Sequence, residues 1–389
     1  MLKIVKLALN AFPTTPSSLV DPATGQAVPQ VGVELADLYH QFYIDTYAEG
    51  PPDPDPAHFE HAHHLLPCQD FRFKWNGLGV NKTAKASGSN RLGQAFCRWF
   101  LSEHLGIDYI AHIDDVRDHG ALRQFGGISV ATTTSTEGDA PDYFCATGSN
   151  QVSLAEAKGT IKAVGFGTKA FQAWRNQFDR VQVRDHSGML LTVKGVIVAT
   201  RWAFETDSAG IRTTLSAEDP ATPGRRPLGD DSPGLAYAIK ALNYAASLRR
   251  LRQPLLAAAL QAGVRIQPEL LFNATVWESP WPPLKGLRFV GGYFPKGPGA
   301  VLPYILGGGK LTYTPPDPLR LDIASGTFVG IEEQTFRALA DTARKGPGHI
   351  AELRPIERRS VGYSGISLLG DGHVIGPIDF FFPAEAITL

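Results

Sequence analysis

The run Pro51-Pro52-Asp53-Pro54-Asp55-Pro56 constrains the fold of this chain more than any other stretch. Proline has no N–H to give to a helix or a sheet ladder, and it pushes the preceding residue out of the helical region, so the run reads as a linker or surface loop. It closes a head of distinct charge. Residues 1–64 hold only Lys3 and Lys6 as strong bases, against Asp21, Glu34, Asp37, Asp45, Glu49, Asp53, Asp55 and Glu60. The chain of 389 residues has a formal net charge of -1, so the part beyond the head is mildly basic. A wholly basic nucleic-acid coat protein is excluded, while a local basic groove is not. With 43% apolar and 19% charged residues the chain reads as globular. No run of 18 apolar residues exists, and Lys6 interrupts the apolar start, so neither a membrane span nor a signal peptide is expected. Cys68, Cys97 and Cys145 are odd in number and widely spaced. That argues against a disulfide framework or a cysteine zinc site and points to a reducing, cytoplasmic setting.

Periodicity predicts a strand over 2–9 and a helix from about Glu34 to Tyr47. A second helix is expected from about Asn90, as cap, to His104, ended by Gly106, with Leu92, Ala95, Phe96, Trp99 and Phe100 at helical spacing. Strands are expected over 128–134, 142–146 and 152–157, the last two joined by the turn Gly148-Ser149-Asn150. Thr168 is expected to cap a helix over 169–180, with strands over 181–184, 190–193 and 196–200 after it, and a loop over 216–233. Ser232-Pro233 opens a long helix ending at Arg249, Arg250 and Arg252. Short strands are expected over 265–277 with a break at Pro268, over 287–293, in the Thr312 region and over 328–331. A helix over 332–344 and a hairpin at Asp371-Gly372 complete the chain. The fold class is α/β or α+β, with an added β-rich C-terminal region. Three parts are expected: residues 1–70, an acidic segment with the proline loop; 71–263, a core with a basic helix; and 264–389, the β-rich region.

The chemistry concentrates in Pro141-Asp142-Tyr143-Phe144 and Leu154-Ala155-Glu156-Ala157-Lys158. On a strand, Glu156 and Lys158 leave the same face on either side of Ala157. With Asp142 on the neighbouring hairpin strand, two carboxylates and one ammonium converge at the end of a sheet. Two hard oxygen ligands suit Mg²⁺ with waters retained, and the ammonium can orient a water or stabilise charge on a phosphate. The bland alternative is an exposed strand whose Glu156 and Lys158 are merely solvated.

Pro141-Asp142 followed by Glu156-Ala157-Lys158 on the next strand resembles the signature of the PD-(D/E)xK nuclease superfamily, over roughly residues 88–205. The resemblance implies a restriction-endonuclease-like mixed sheet flanked by helices. It implies Asp142, Glu156 and the Ala157 carbonyl as ligands of Mg²⁺ or Mn²⁺, and Lys158 as the residue that positions the attacking water. Many members carry a glutamate on the helix before the core strands; here that setting reads Gly93-Gln94-Ala95, with Gln94 in the acid's place. A glutamine after the lysine is frequent, and Gln172 or Gln177 corresponds. The implied activity is hydrolysis of nucleic acid, DNA first, in a bacterial restriction or anti-phage defence setting that allows a protein partner. The alternative is a non-catalytic nuclease-like subunit that binds nucleic acid or a partner within a larger complex.

Lys162, Lys169, Arg175, Arg180 and Arg184 form a basic zone after the trio, and Arg249, Arg250 and Arg252 offer a second. Helix-terminal bases are equally explained by the helix dipole. His58, His61, His63 and His64 cluster near Cys68 but read as a polar loop. Gly165-Phe166-Gly167-Thr168 with Asp185 mimics a dinucleotide fingerprint, and reads instead as a loop supporting the Lys158 strand. Gly307-Gly308-Gly309-Lys310 lacks a Walker pattern and reads as a turn. Asp114 and Asp115 read as loop residues.

Overall fold

The computed structural model describes residues 1–47, 54, 63–75, 77–118, 127–133, 139–228, 233–295, 302–314, 325–361 and 365–389. Most of the proline run, with His58 and His61, lies outside them. The protein is a mixed α/β structure with two seven-stranded sheets and, among the described residues, seven α-helices.

The first sheet is built from β1 (Leu2–Asn10), β2 (Gln30–Glu34), β3 (Tyr109–His112), β4 (Tyr143–Ala146), β5 (Val152–Thr160), β6 (Gly195–Arg201) and β7 (Thr214–Glu218), in the order β2-β1-β7-β6-β5-β4-β3. β4 pairs antiparallel with both β3 and β5, β5 and β6 are parallel, and β7 is antiparallel to β6. The acidic head is part of this sheet: β1 pairs parallel with β7, and α1 (Leu35–Thr46) packs against α2 (Lys82–Leu105). Side-chain alternation on β5 explains the layering. Ala155 and Ala157 face the aromatic core of Phe71, Phe96, Phe100 and Trp202 under α1 and α2. Leu154 faces the opposite core, shared with α5 (Pro233–Arg250) and α6 (Pro254–Ala262).

The C-terminal region forms the second sheet, from β8 (Asn273–Glu278), β9 (Arg288–Pro295), β10 (Gly326–Glu332), β11 (Arg359–Val361), β12 (Ile366–Leu368), β13 (His373–Pro377) and β14 (Phe382–Thr388). Its order is β11-β12-β13-β10-β9-β8-β14, antiparallel throughout. Val276, Val290 and Ile331 join the core that α5, α6 and α7 (Glu333–Lys345) share with the first sheet. Trp277, Phe289, Phe328 and Phe381 build a separate cluster.

Several elements depart from the expectation. α2 starts at Lys82, not Asn90: Asn81 is the cap, its side chain accepting the Ala84 amide at 2.8 Å. The first two turns carry exposed Lys82, Thr83 and Ser87, so no apolar period marks them. Residues 216–218, expected as loop, belong to β7, whose Leu215 and Ala217 are buried. The long helix ends at Arg250, and an unexpected further helix, α6, follows with Pro254 in its first turn. The strand over 265–277 begins only at Asn273. The helix after Thr168, α4 (Lys169–Arg175), stops at Arg175 and gives way to a tighter turn, Phe178–Arg180. The strand at Ser129–Thr132 pairs with Val181–Arg184 in a small separate sheet.

Candidate active site

Three strands and two helices meet where β4 begins. β4 pairs with β5 through Tyr143 opposite Ala155, so Asp142 stands one residue beyond the ladder, across from the segment that holds Glu156. Its Oδ2 accepts the backbone N–H of Ala157 at 2.8 Å. Within a strand the N–H and C=O of one residue point to the same edge. The Ala157 carbonyl therefore leaves β5 on the side of Asp142, past the start of β4. The carbonyl of Asp142 accepts the Ile113 amide at 3.0 Å, which ties the site to α3 (Ile113–Asp118) as well. Asp114 and Asp115, expected in a loop, lie in the first turn of this helix.

Glu156 is fully buried, and Lys158, 22% exposed, pairs with its Oε1. The Gln177 amide, turned nitrogen-first, donates to Glu156 Oε2 at 2.7 Å. Burial, and next the charge of Asp142, push the Glu156 carboxyl well above the usual carboxylate range, with Lys158 opposing. Burial by itself lowers the Lys158 ammonium, but Glu156 and then Asp142 outweigh it, and the net direction is upward. Asp142 thus acts on both Glu156 and Lys158, as expected where like and unlike charges share a partly dry site.

α2 supplies Gln94, whose Nε2 lies 3.5 Å from Asp142 Oδ1. The helix can come this near because glycines meet. A Cβ on Gly93 would stand 2.5 Å from the Gly159 nitrogen, and a Cβ on Gly159 would run into the Ser89 carbonyl.

Asp142 and Lys158, with Gln94, His112, Arg117 and Arg180 among others, line an open, polar cavity of about 670 Å³, while Glu156 lies buried behind Lys158 and does not line it. His112 was not foreseen. Its Nε2 lies 3.2 Å from Asp45 Oδ1, a carboxylate that also accepts the Tyr143 hydroxyl at 2.8 Å and sits 3.7 Å from Arg98. Burial lowers the His112 pKa, the hydrogen bond and charge of Asp45 raise it, and the net is upward; Arg98 lowers it and Asp115 raises it. Asp45 itself is held below its usual value because His112, Arg98 and Tyr143 outweigh the cost of burial. No spacing links Asp45 to His112, so the sequence carried no signal for this wall of the cavity.

The remaining candidates divide. Of the two glutamines, Gln177 reaches the site, whereas Gln172 is exposed and bonded to Asn176 and Arg175. Arg180 lines the cavity and donates to the Asp139 carbonyl at 2.8 Å. Lys162 and Lys169 are exposed. Arg175 is occupied elsewhere, donating to both oxygens of Glu218 at 2.9 and 2.8 Å. Arg184 is exposed and donates to the Gly188 carbonyl. Arg249, Arg250 and Arg252 do not line the cavity. Arg249 donates to Gln261, and Arg250 donates to the Tyr47 carbonyl with its guanidinium 4.6 Å from the Tyr43 ring centre. These two close α5 onto its neighbours rather than facing a ligand.

The other motifs take structural places. Thr168 caps α4, accepting the Phe171 amide, and α4 has only seven residues. A Cβ at Gly165 or Gly167 would meet nothing within 4 Å, so neither glycine is needed for a close approach. Gly308 and Gly309, at φ of +57° and +77°, turn a hairpin between Tyr304–Gly307 and Lys310–Tyr313. All three cysteines are free. Among the described residues, no group of three or more His, Cys, Asp or Glu side chains is placed to hold a metal ion, and no helix is long and apolar enough to cross a membrane. No protein-family model, curated protein or solved structure matches the chain.

Proposed function

We propose that the chain is a Mg²⁺-dependent phosphodiesterase acting on nucleic acid, with a restriction-endonuclease-like core and its chemistry at Asp142, Glu156 and Lys158. The observation that carries the reading is the bond from the Ala157 amide to Asp142, which sets the first acid beside the buried Glu156–Lys158 pair at the edge of an open polar cavity. Two further contacts support it. The helix before the core strands brings Gln94 to Asp142, and the segment after the lysine brings Gln177 to Glu156.

The donor set fits a hard divalent ion. Asp142, Glu156 and the Ala157 carbonyl are hard oxygen donors and would hold such an ion. Mg²⁺ or Mn²⁺, when bound there, supplies Lewis-acid neutralisation of phosphate charge. The chain's own groups do the rest. Lys158 holds a water against the phosphorus for in-line attack and stabilises its developing negative charge. Glu156, held by Gln177 and Lys158, keeps that ammonium aimed at the cavity. Arg117 and Arg180 on the cavity wall bear charge suited to the flanking phosphates.

The test is incubation of the purified chain with plasmid and with RNA, with and without Mg²⁺, beside Glu156→Ala. Cleavage that needs both the ion and Glu156 is expected. Full cleavage by the variant, or none by the natural chain with Mg²⁺, overturns the reading. One observation favours a second reading, a binding module without catalysis: Gln94 stands where an acid would complete a second metal site. That module would bind nucleic acid equally well in chelator and would take up no Mn²⁺.

A further inference from the structure

Among the described residues, the cavity at Asp142 and Lys158 is lined by one imidazole, that of His112. The sheet brings it there: His112 stands opposite Tyr143 on the ladder, and Tyr143 directly follows Asp142. The two rings lie 4.9 Å apart. The buried Asp45 engages Nε2 at 3.2 Å, and the Tyr143 hydroxyl and Arg98 hold Asp45 in turn. A ring with Nε2 on a fixed carboxylate keeps Nδ1 for another group, and 37% of this side chain is exposed. A buried acid behind a half-exposed histidine sets the ring's orientation and stabilises its charged form.

We propose that His112 is a catalytic residue of the hydrolysis assigned to Asp142, Glu156 and Lys158: the general acid that protonates the leaving sugar oxygen. The proposal rests on the reading above and fills a gap in it. Gln94, a neutral amide, stands where an acid would complete a second metal site. In two-metal sites the second ion stabilises the leaving oxygen, so here another group has to meet that charge. Lys158 is committed to Glu156 and the attacking water. Arg117 and Arg180 do not release protons. An imidazole both holds and releases one near neutrality. In the step, the water oxygen bonds phosphorus and the bond from phosphorus to the leaving oxygen breaks. The electron pair goes to that oxygen, which takes the proton from His112 Nδ1. The proton shed by the water passes to solvent, from which the ring is recharged. Burial lowers the His112 pKa, Asp45 raises it more, and the smaller effects of Arg98 and Asp115 oppose each other. The net upward direction favours the charged, donating ring. Of the other charges on α3, Arg117 and Asp114 lie 3.1 Å apart, and Asp142 and Lys158 share the cavity.

The test compares an all-oxygen oligonucleotide, carrying a cleavage site mapped on the plasmid, with the same strand bearing sulfur at the bridging position that leaves. The ends of the natural products show which position that is. A thiolate departs without a proton, since a thiol is a far stronger acid than a sugar hydroxyl. His112→Gln keeps an N–H for Asp45 and has no proton to give. It should cut the all-oxygen strand about 10²–10⁴-fold more slowly than the natural chain, and the sulfur strand within about tenfold of it. Its Mn²⁺ affinity should be unchanged. His112→Asn should show the same split, and serves if the first variant does not fold. Equal slowing on both strands, slowing on neither, or lost Mn²⁺ affinity overturns the proposal. So does cleavage of the sulfur strand by the natural chain that is weak in Mg²⁺ and recovered in Mn²⁺, which puts an ion on the leaving atom. A natural chain that cleaves nothing ends both readings, whereas cleavage indifferent to His112 ends this one alone.

Discussion

Asp142 Oδ2 accepts the Ala157 amide at 2.8 Å, so the first acid of the site is fixed to the very strand that carries the second. The contact engages one oxygen of Asp142 and leaves the other 3.5 Å from the Gln94 amide. A carboxylate set in this way is held in place by the chain alone.

Asp142→Asn keeps an oxygen for the Ala157 amide and removes the charge. It should therefore stay folded and lose Mn²⁺ binding, which calorimetric titration reads directly. Lys158→Ala should do the opposite: bind Mn²⁺ and slow cleavage by about 10²–10⁴-fold, the range for a positioned proton-handling group. If both variants lost metal and activity together, the separate roles given to the two residues would be wrong.

Gln177 holds the buried Glu156 from a turn just past α4. Gln177→Leu takes away that donor and keeps the bulk. Mn²⁺ affinity should drop by about 10–100-fold, as for other groups that orient a ligand without touching the ion. Gln172→Leu, in an exposed position, should change neither affinity nor activity.

The trio was legible because strand alternation puts Glu156 and Lys158 on one face and because Gly148-Ser149-Asn150 turns the chain back on itself; Asn150 does so at φ +63°. Which glutamine contacts Glu156 was not legible, since the choice depends on α4 ending at Arg175, five residues before the expected end at Arg180. The His112 wall was invisible for a different reason. Asp45 looked like one more solvated acid of the head, and only the pairing of β1 into the first sheet brings α1 across to it. Arg250 misled in the same way: a base at a helix end signals a ligand or a neighbour equally, and here the neighbours are Tyr43 and Tyr47.

Glu156 titrates above its ordinary 4.5 in the folded chain. The folded state then binds more protons than the unfolded one, so stability contributed by the protonated carboxyl is complete below 4.5 and is lost as pH rises through the folded value. Urea midpoints in EDTA should fall over that upward window, and Glu156→Gln should flatten the slope. Mg²⁺ should restore stability at the alkaline end, by about 2.7 kcal/mol at a hundred times its dissociation constant. A natural chain whose stability rises across the window would contradict the burial of this acid.

Asp45 and His112 shift in opposite directions, and the signs define a window. The depressed acid contributes above 3.8 and loses its contribution as pH falls through its folded value, while the raised histidine contributes below 6.5 and loses its own as pH rises past its folded value. The pair is therefore complete between those limits. Asp45→Asn should bring the His112 imidazole below its ordinary value, since burial and Arg98 then act unopposed by Asp45; NMR titration of the ring reads this. Leaving Arg98, only 4% exposed, without its carboxylate should cost about 3 kcal/mol.

The approach of α2 to β5 makes a paired prediction on two glycines of one segment. Gly159→Ala places a methyl against the Ser89 carbonyl, which is backbone and cannot swing aside. The helix must back away from the strand, taking Gln94 from Asp142, and stability should drop by about 1–3 kcal/mol, with cleavage falling too. Gly165→Ala meets nothing within 4 Å and has no positive φ, so it should be neutral or stabilise by about 0.4–1 kcal/mol through the unfolded chain. Thermal unfolding and the plasmid assay on both variants decide the matter. Damage at Gly165 instead of Gly159 would mean that the loop before α4 holds a close-fitting ligand and that the contact between α2 and β5 is not what sets the site.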